Sequence, residues 1–199
     1  MLTDNQKKSL ESGQAVLVFG ASGGCGSIAV QLAKRCLGAS RVVGVCSGAN
    51  AEAVKSYGAD SVVDYTAGDT AMIEELQRIP FDIAVDTVTS PDDKDYGPIA
   101  KACLKPGGLH VAINGSGGSW SRAILSSVLK FDLQKRGYHL LMKRSDGKQL
   151  AKLAAWVVEE KLKPVVASTF PMTQPAVEEA YKSLKGRRTK GKLVCVVPA

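Results

Sequence analysis

The residues best suited to do chemistry crowd into Gly20-Ala21-Ser22-Gly23-Gly24-Cys25-Gly26, where four glycines, a hydroxyl and a thiol share seven positions. A turn of this composition suits an anion. Glycine permits backbone angles that a Cβ forbids, and it lets peptide N–H groups close on a pyrophosphate with no side chain in the way. Ahead of the turn, Ala15-Val16-Leu17-Val18-Phe19 is a continuous apolar run that reads as a buried strand. Behind it, Ile28, Val30, Leu32 and Ala33 space the stretch from Ser27 to Cys36 as a helix, whose N-terminus faces the turn with about half a positive charge. Packing alone also produces glycine-rich strand-to-helix turns, so the assignment needs a second signal.

That signal comes from the end of the second β-rich run, Arg41 to Cys46. Dinucleotide sites that prefer NAD carry an Asp or Glu here, accepting hydrogen bonds from the adenine ribose. This chain has Cys46-Ser47-Gly48 instead, with Asn50 close behind. Losing the carboxylate removes repulsion against a 2′-phosphate, and Ser47 and Asn50 offer donors to one, so NADP(H) is favoured over NAD. The same absence argues against a methyltransferase. Ser47 and Asn50 equally suit a cap on the next helix.

The elements that must position these residues alternate. Helical segments are expected over 49–57, 70–78 and 97–104, with strands at Ser61 to Asp64, Phe81 to Asp86, Leu109 to Ile113 and Tyr138 to Met142. Lys105-Pro106-Gly107-Gly108 is read as the turn into the fifth strand, and residues 1–14 as a helix end leading into the first. Alternation at this spacing predicts an α/β fold, a doubly wound parallel six-stranded Rossmann sheet with the glycine turn at the carboxyl end of its first strand. After Lys161 the pattern changes. A strand-helix-strand tail from 164 to 199, with its helix over 175–185, no longer looks like βαβ units, and its last apolar run, Lys192 to Val197, has no obvious partner.

Composition bounds the rest. The 199 residues carry a formal charge of +7, but the basic residues are dispersed except at 185–192, so a phosphate-bearing dinucleotide accounts for the charge and nucleic acid is not expected. No segment has the apolar length of a membrane span, and the polar start has no signal-peptide core, which places the chain inside the cell, in the cytoplasm or an organelle such as the mitochondrial matrix. The five cysteines have neither a disulfide framework nor metal-ligand spacing, so buried reduced thiols and no metal are expected. His110 and His139 fall in strands and read as packing or edge residues. No side chain stands out as a general acid, and the catalytic residues are left unassigned.

Several of these stretches together resemble a known family. The glycine turn, Gln31-Leu32-Ala33-Lys34, Gly58-Ala59-Asp60, Asp64-Tyr65-Thr66, Asp86-Thr87-Val88, Leu104-Lys105-Pro106-Gly107-Gly108 and Lys190-Gly191-Lys192 are similar, in order and spacing, to the quinone oxidoreductase branch of the medium-chain dehydrogenases. Its zeta-crystallin-like, reticulon-interacting members are the nearest in pattern. The resemblance implies a cofactor-binding domain over 1–163, and a return segment over 164–199 that joins a GroES-like domain expected to be missing from these residues. It implies that the turn, Gly20, Ser22, Gly23, Gly24, Cys25 and Gly26, holds the pyrophosphate. Ser47, Asn50 and Tyr65 would surround the 2′-phosphate, Thr87 and Val88 would lie beside the nicotinamide, and Asn114, Thr189, Lys190 and Gly191 would complete the cofactor contacts. Tyr65 reads alternatively as a packing aromatic and Lys190 as a solvated charge. Cys25 departs from the family's usual valine, which a site built on backbone N–H groups tolerates.

Implied further are zinc independence, a homodimer paired through the sixth strand, and hydride transfer from NADPH to a quinone or enone. Without the other half of the cleft, the chain alone is expected to be inactive. A different class stays open: a non-catalytic NADP(H)-binding scaffold or redox-sensing subunit of a larger assembly.

Overall fold

A computed structural model describes residues 13–88, 96–113, 137–140, 147–186 and 189–197, the four at 137–140 by their backbone alone. Strands β1 (Ala15–Phe19), β2 (Arg41–Cys46), β3 (Ser61–Asp64), β4 (Phe81–Asp86), β5 (Leu104–Ala112) and β6 (Gly137–Leu140) form one sheet in the order β3-β2-β1-β4-β5-β6. Every pairing in it is parallel. The doubly wound expectation holds. β1 lies at the centre, and its side chains feed two cores. Val16 and Val18 pack with Val30, Ala33, Val42 and Val54 on one face, while Leu17 and Phe19 pack with Val43, Met72, Leu76 and Phe81 on the other. A strand covered on both faces has no use for polar alternation, which is why it is apolar throughout.

Helix α1 (Gly26–Gln31) continues into wider turns over Leu32–Cys36, where Leu37 N–H donates five residues back to Leu32 O at 3.0 Å. Helices α2 (Ala51–Ser56), α3 (Asp69–Gln77) and α4 (Gly97–Cys103) follow their strands within a residue or two of the sequence reading. The Lys105 to Gly108 segment is a bulge inside β5: Phe81 pairs with Leu104 and Ile83 already with Leu109, and Gly107 takes φ +77°. Lys105 Nζ closes the bulge on Asp82 at 2.9 Å, and the Asp82 carboxylate also accepts from Ala15 N–H at 2.9 Å.

The tail corrects the sequence reading. Strands β7 (Val166–Pro171) and β8 (Lys192–Val196) pair in parallel across helix α6 (Gln174–Lys185), so the tail is itself a βαβ unit and the final apolar run has a partner. The strand-helix-strand order was expected; the parallel pairing of its two strands with each other was not. Helix α5 (Gly147–Val158) was not anticipated, although Leu150, Leu153, Ala154 and Val157 carry its period. Gln31 ties the start of the tail to the body: Lys163 N–H donates to its Oε1 at 2.8 Å, and its Nε2 donates to Lys163 O at 2.9 Å.

Candidate dinucleotide-binding site

The turn after β1 is built by contacts that exclude side chains. Gly20 has φ +72°, and a Cβ there would lie 2.8 Å from Thr87 Oγ1 and 3.1 Å from Val88 Cγ2. A Cβ on Gly26 would overlap the Gly20 carbonyl oxygen, so α1 meets β1 this closely only through glycine. Gly23 N–H donates to Gly20 O at 3.0 Å and Ser27 N–H to Gly23 O at 2.9 Å, which closes the turn. Among the described residues no acceptor pairs with the N–H groups of Ser22, Gly24 and Cys25. Free donors over a bare glycine, with Cys25 exposed beside them, fit a phosphate.

On one side of the turn lies the loop after β2. Asn50 Nδ2 donates to Ser22 Oγ at 3.2 Å, tying this loop to the glycine turn. Neither Ser47 nor Asn50 caps a helix with its side chain. Tyr65, just past the end of β3, is 44% exposed. Sequence reasoning missed one charge here. The acid absent from β2 is supplied by β3, where Asp64 Oδ1 accepts from Thr66 N–H at 2.8 Å and Thr66 Oγ1 at 2.7 Å. Its Oδ2 lies 2.5 Å from where a Gly48 Cβ would be. Those Thr66 bonds, helped by Gly48 N–H, hold the carboxyl below its usual range. The strand pairing Cys46↔Asp64 was the signal that could have found it, and it requires knowing which strands are neighbours.

On the other side lies the turn after β4. Thr87 Oγ1 donates to Phe19 O at 2.7 Å and Thr87 N–H to the same oxygen at 3.2 Å, while Val88 N–H donates to Asp86 Oδ1 at 2.9 Å. Thr87 and Val88 are thereby fixed against Gly20. The tail reaches the middle of the site: a Cβ on Gly24 would lie 2.9 Å from Gly191 O and 3.1 Å from Lys192 Nζ. Lys192, which sequence reasoning did not assign, is thus nearer the turn than exposed Lys190 or Thr189, whose hydroxyl turns to Ser183 O at 3.4 Å. Asn114 lies outside the described residues.

Burial, reinforced by Asp64, pushes the Cys46 thiol up to about 11, and burial does the same to Cys103. His110 is 1% exposed inside β5, as its packing role required. Among the described residues no group of three His, Cys, Asp or Glu side chains could hold a metal ion.

The sequence profile of the family described as zinc-binding dehydrogenase matches residues 57–195. The chain belongs to this family. It is 32% identical over 190 residues to the trans-enoyl reductase pgmF of Aspergillus terreus, covering 92% of this chain and 51% of that protein. It is 29% identical over 190 residues to the chloroplastic NADPH-dependent alkenal/one oxidoreductase of Arabidopsis thaliana, covering 94% and 42%. Its fold superposes on the quinone oxidoreductase from Coxiella burnetii with a TM-score of 0.75 at 26% identity, over 95% of this chain and 54% of the other. The chain spans about half the length of the relatives it matches, namely the cofactor-binding half of a medium-chain dehydrogenase. No described helix is long and apolar enough to cross a membrane.

Proposed function

We propose that this chain is the NADP(H)-binding half of an oxidoreductase that reduces a quinone or an enone. The observation that carries the reading is the turn itself, where unpaired N–H groups of Ser22, Gly24 and Cys25 surround a glycine with no room for a side chain. Gly20, Ser22, Gly23, Gly24, Cys25 and Gly26 hold the pyrophosphate in this reading. Ser47, Asn50 and Tyr65 take the adenosine 2′-phosphate, Thr87 and Val88 lie on the nicotinamide side, and Asn114, Thr189, Lys190 and Gly191 complete the cofactor contacts. The dinucleotide supplies the hydride; the chain's residues orient it and place its nicotinamide against the turn after β4. Because Asp64 restores a negative charge near Ser47, preference for the 2′-phosphate rests on the hydroxyls and on Tyr65 rather than on a missing acid.

Titration of nicotinamide fluorescence tests this. NADPH is expected to bind at least about tenfold more tightly than NADH, a difference of roughly 1.4 kcal/mol; equal affinities would refute the assignment of Ser47, Asn50 and Tyr65. Gly24→Val should abolish binding of both. The chain alone should turn over neither quinone nor enone at about 1 per second, since it spans about half the length of its relatives and hydride transfer needs an acceptor held within reacting distance of the nicotinamide.

Among the described residues β6 pairs with β5 alone, and a strand edge left in this way supports a homodimer paired there about a two-fold axis. Sedimentation should show dimers at micromolar concentration, and a monomer throughout would remove the proposal. Leu141 and Met142, the rest of the expected strand, lie outside the described residues.

A further inference from the structure

Lys192 opens β8, far along the chain from the glycine turn, yet its side chain lies across it. A Cβ on Gly24 would meet Lys192 Cδ at 3.0 Å and Nζ at 3.1 Å, and Nζ stands 3.9 Å from Cys25 Sγ. The lysines at 34, 55, 105, 161 and 163 each hold a carboxylate. Lys192 pairs with none among the described residues. The local inventory is therefore weighted to donors: among the described residues an ammonium and three unpaired N–H groups stand against one acceptor, the Gly191 carbonyl oxygen, 2.9 Å from the same Cβ position. A cluster in which donors outnumber acceptors is stabilised by an anion placed among them.

The approach of Lys192 is fixed by its own neighbours. Gly191 has φ +106°, and a Cβ on it would overlap the Val165 carbonyl oxygen, while Lys192 N–H donates to that same oxygen at 2.7 Å. Val165 follows Lys163, which the buried Gln31 amide grips from α1 with two hydrogen bonds. The helix behind the turn thus anchors the root of the tail, and the tail returns a cation to the front of the same turn.

We propose that Lys192 is a ligand of the dinucleotide pyrophosphate, and that nucleotide binding is coupled through it to docking of the β7–α6–β8 unit on the body. The proposal rests on the NADP(H) reading above and assigns a residue that reading did not. The ammonium reaches the turn only when the tail is seated, so a nucleotide binds the seated state more tightly and in return favours seating. A contact to the pyrophosphate also ignores the 2′-phosphate, so it serves NADPH and NADH equally.

The test uses the whole chain and three proteins: the unaltered chain, Lys192→Met and Lys192→Arg. NADPH and NADH are titrated against each, and hydrogen exchange of residues 166–196 is followed with and without saturating NADPH. Lys192→Met should weaken both nucleotides about tenfold, as loss of one charge-assisted hydrogen bond implies, leaving their ratio unchanged. Lys192→Arg should stay within about threefold of the unaltered chain. NADPH should slow exchange in the tail of the unaltered chain and leave that of Lys192→Met nearly unchanged. Weakening of NADPH alone would overturn the pyrophosphate assignment by making Lys192 a reader of the 2′-phosphate. Unchanged affinities in Lys192→Met, with the unaltered chain binding normally, would overturn this proposal and leave the cofactor reading standing. Failure of the unaltered chain to bind either nucleotide would overturn both. Matching thermal transitions for the three proteins establish that a loss reflects the contact and not the fold.

Discussion

Body and tail use the same local unit, two parallel strands joined by a helix, and differ in what covers it. In the body, Val16, Leu17, Val18 and Phe19 of β1 are at most 1% exposed, because helices close both faces of the strand. In the tail, Val194 and Val196 of β8 are 36% and 51% exposed, and Tyr181 and Leu184 of α6 are 63% and 56% exposed. An apolar strand is therefore no measure of a core by itself. The body makes its own core, whereas the tail holds to it at a few points, chiefly Gln31 with Lys163 and the contact of Gly191 and Lys192 with Gly24. The site lies where the two meet, so its rigid half comes from one region and its added cation from the other.

The same substitution in the two regions measures that contrast. Val18→Asn buries an amide in a closed core and should cost about 3 kcal/mol or more, read as loss of a cooperative thermal transition. Val196→Asn should change stability by no more than about 0.5 kcal/mol. Comparable losses at both positions would mean that the tail is cored within this chain after all.

A smaller effect separates the body's surface from its core. Asp60 accepts from Val42 N–H at 2.7 Å and pairs with Lys34 at 2.7 Å, clipping the start of β2 to the helix that follows β1. Desolvation by burial raises its pKa, but the Lys34 and Val42 hydrogen bonds outweigh it and the carboxyl sits below its usual value. Its contribution is therefore present above the unfolded pKa of about 4 and lost as the pH falls through the folded value. Asp60→Asn should cost of order 0.5 kcal/mol at neutral pH, a partly exposed pair being worth no more, and should flatten the acid limb of stability below about pH 4. An unchanged acid limb in urea melts would contradict the clip.

What the sequence reveals follows from how local each signal is. β1, the glycine turn and α1 were legible because a two-sided buried strand, a turn closed to side chains and a helical period all lie within consecutive residues. Tyr65, Thr87 and Val88 reached the site list through a resemblance, and the fold fixes two of them, Thr87 by its hydrogen bonds to Phe19 O and Val88 by the one from its N–H to Asp86 Oδ1. Asp64 beside Gly48 and Lys192 across Gly24 escaped, since each depends on a neighbour in space. The pairing of β7 with β8 escaped for the same reason: both strands of the tail were expected, but which strand each lies beside is a contact in space.

The central claim is that the loop after β2, with Tyr65 at the end of β3, takes an adenosine 2′-phosphate while the glycine turn takes the pyrophosphate. Isothermal calorimetry with adenosine 2′,5′-bisphosphate and adenosine 5′-monophosphate, each competing against NADPH, isolates that half of the site from the nicotinamide. The account predicts that the bisphosphate displaces NADPH at a concentration about tenfold or more below that of the monophosphate, as one additional charge-assisted contact requires. Displacement at equal concentrations would contradict it.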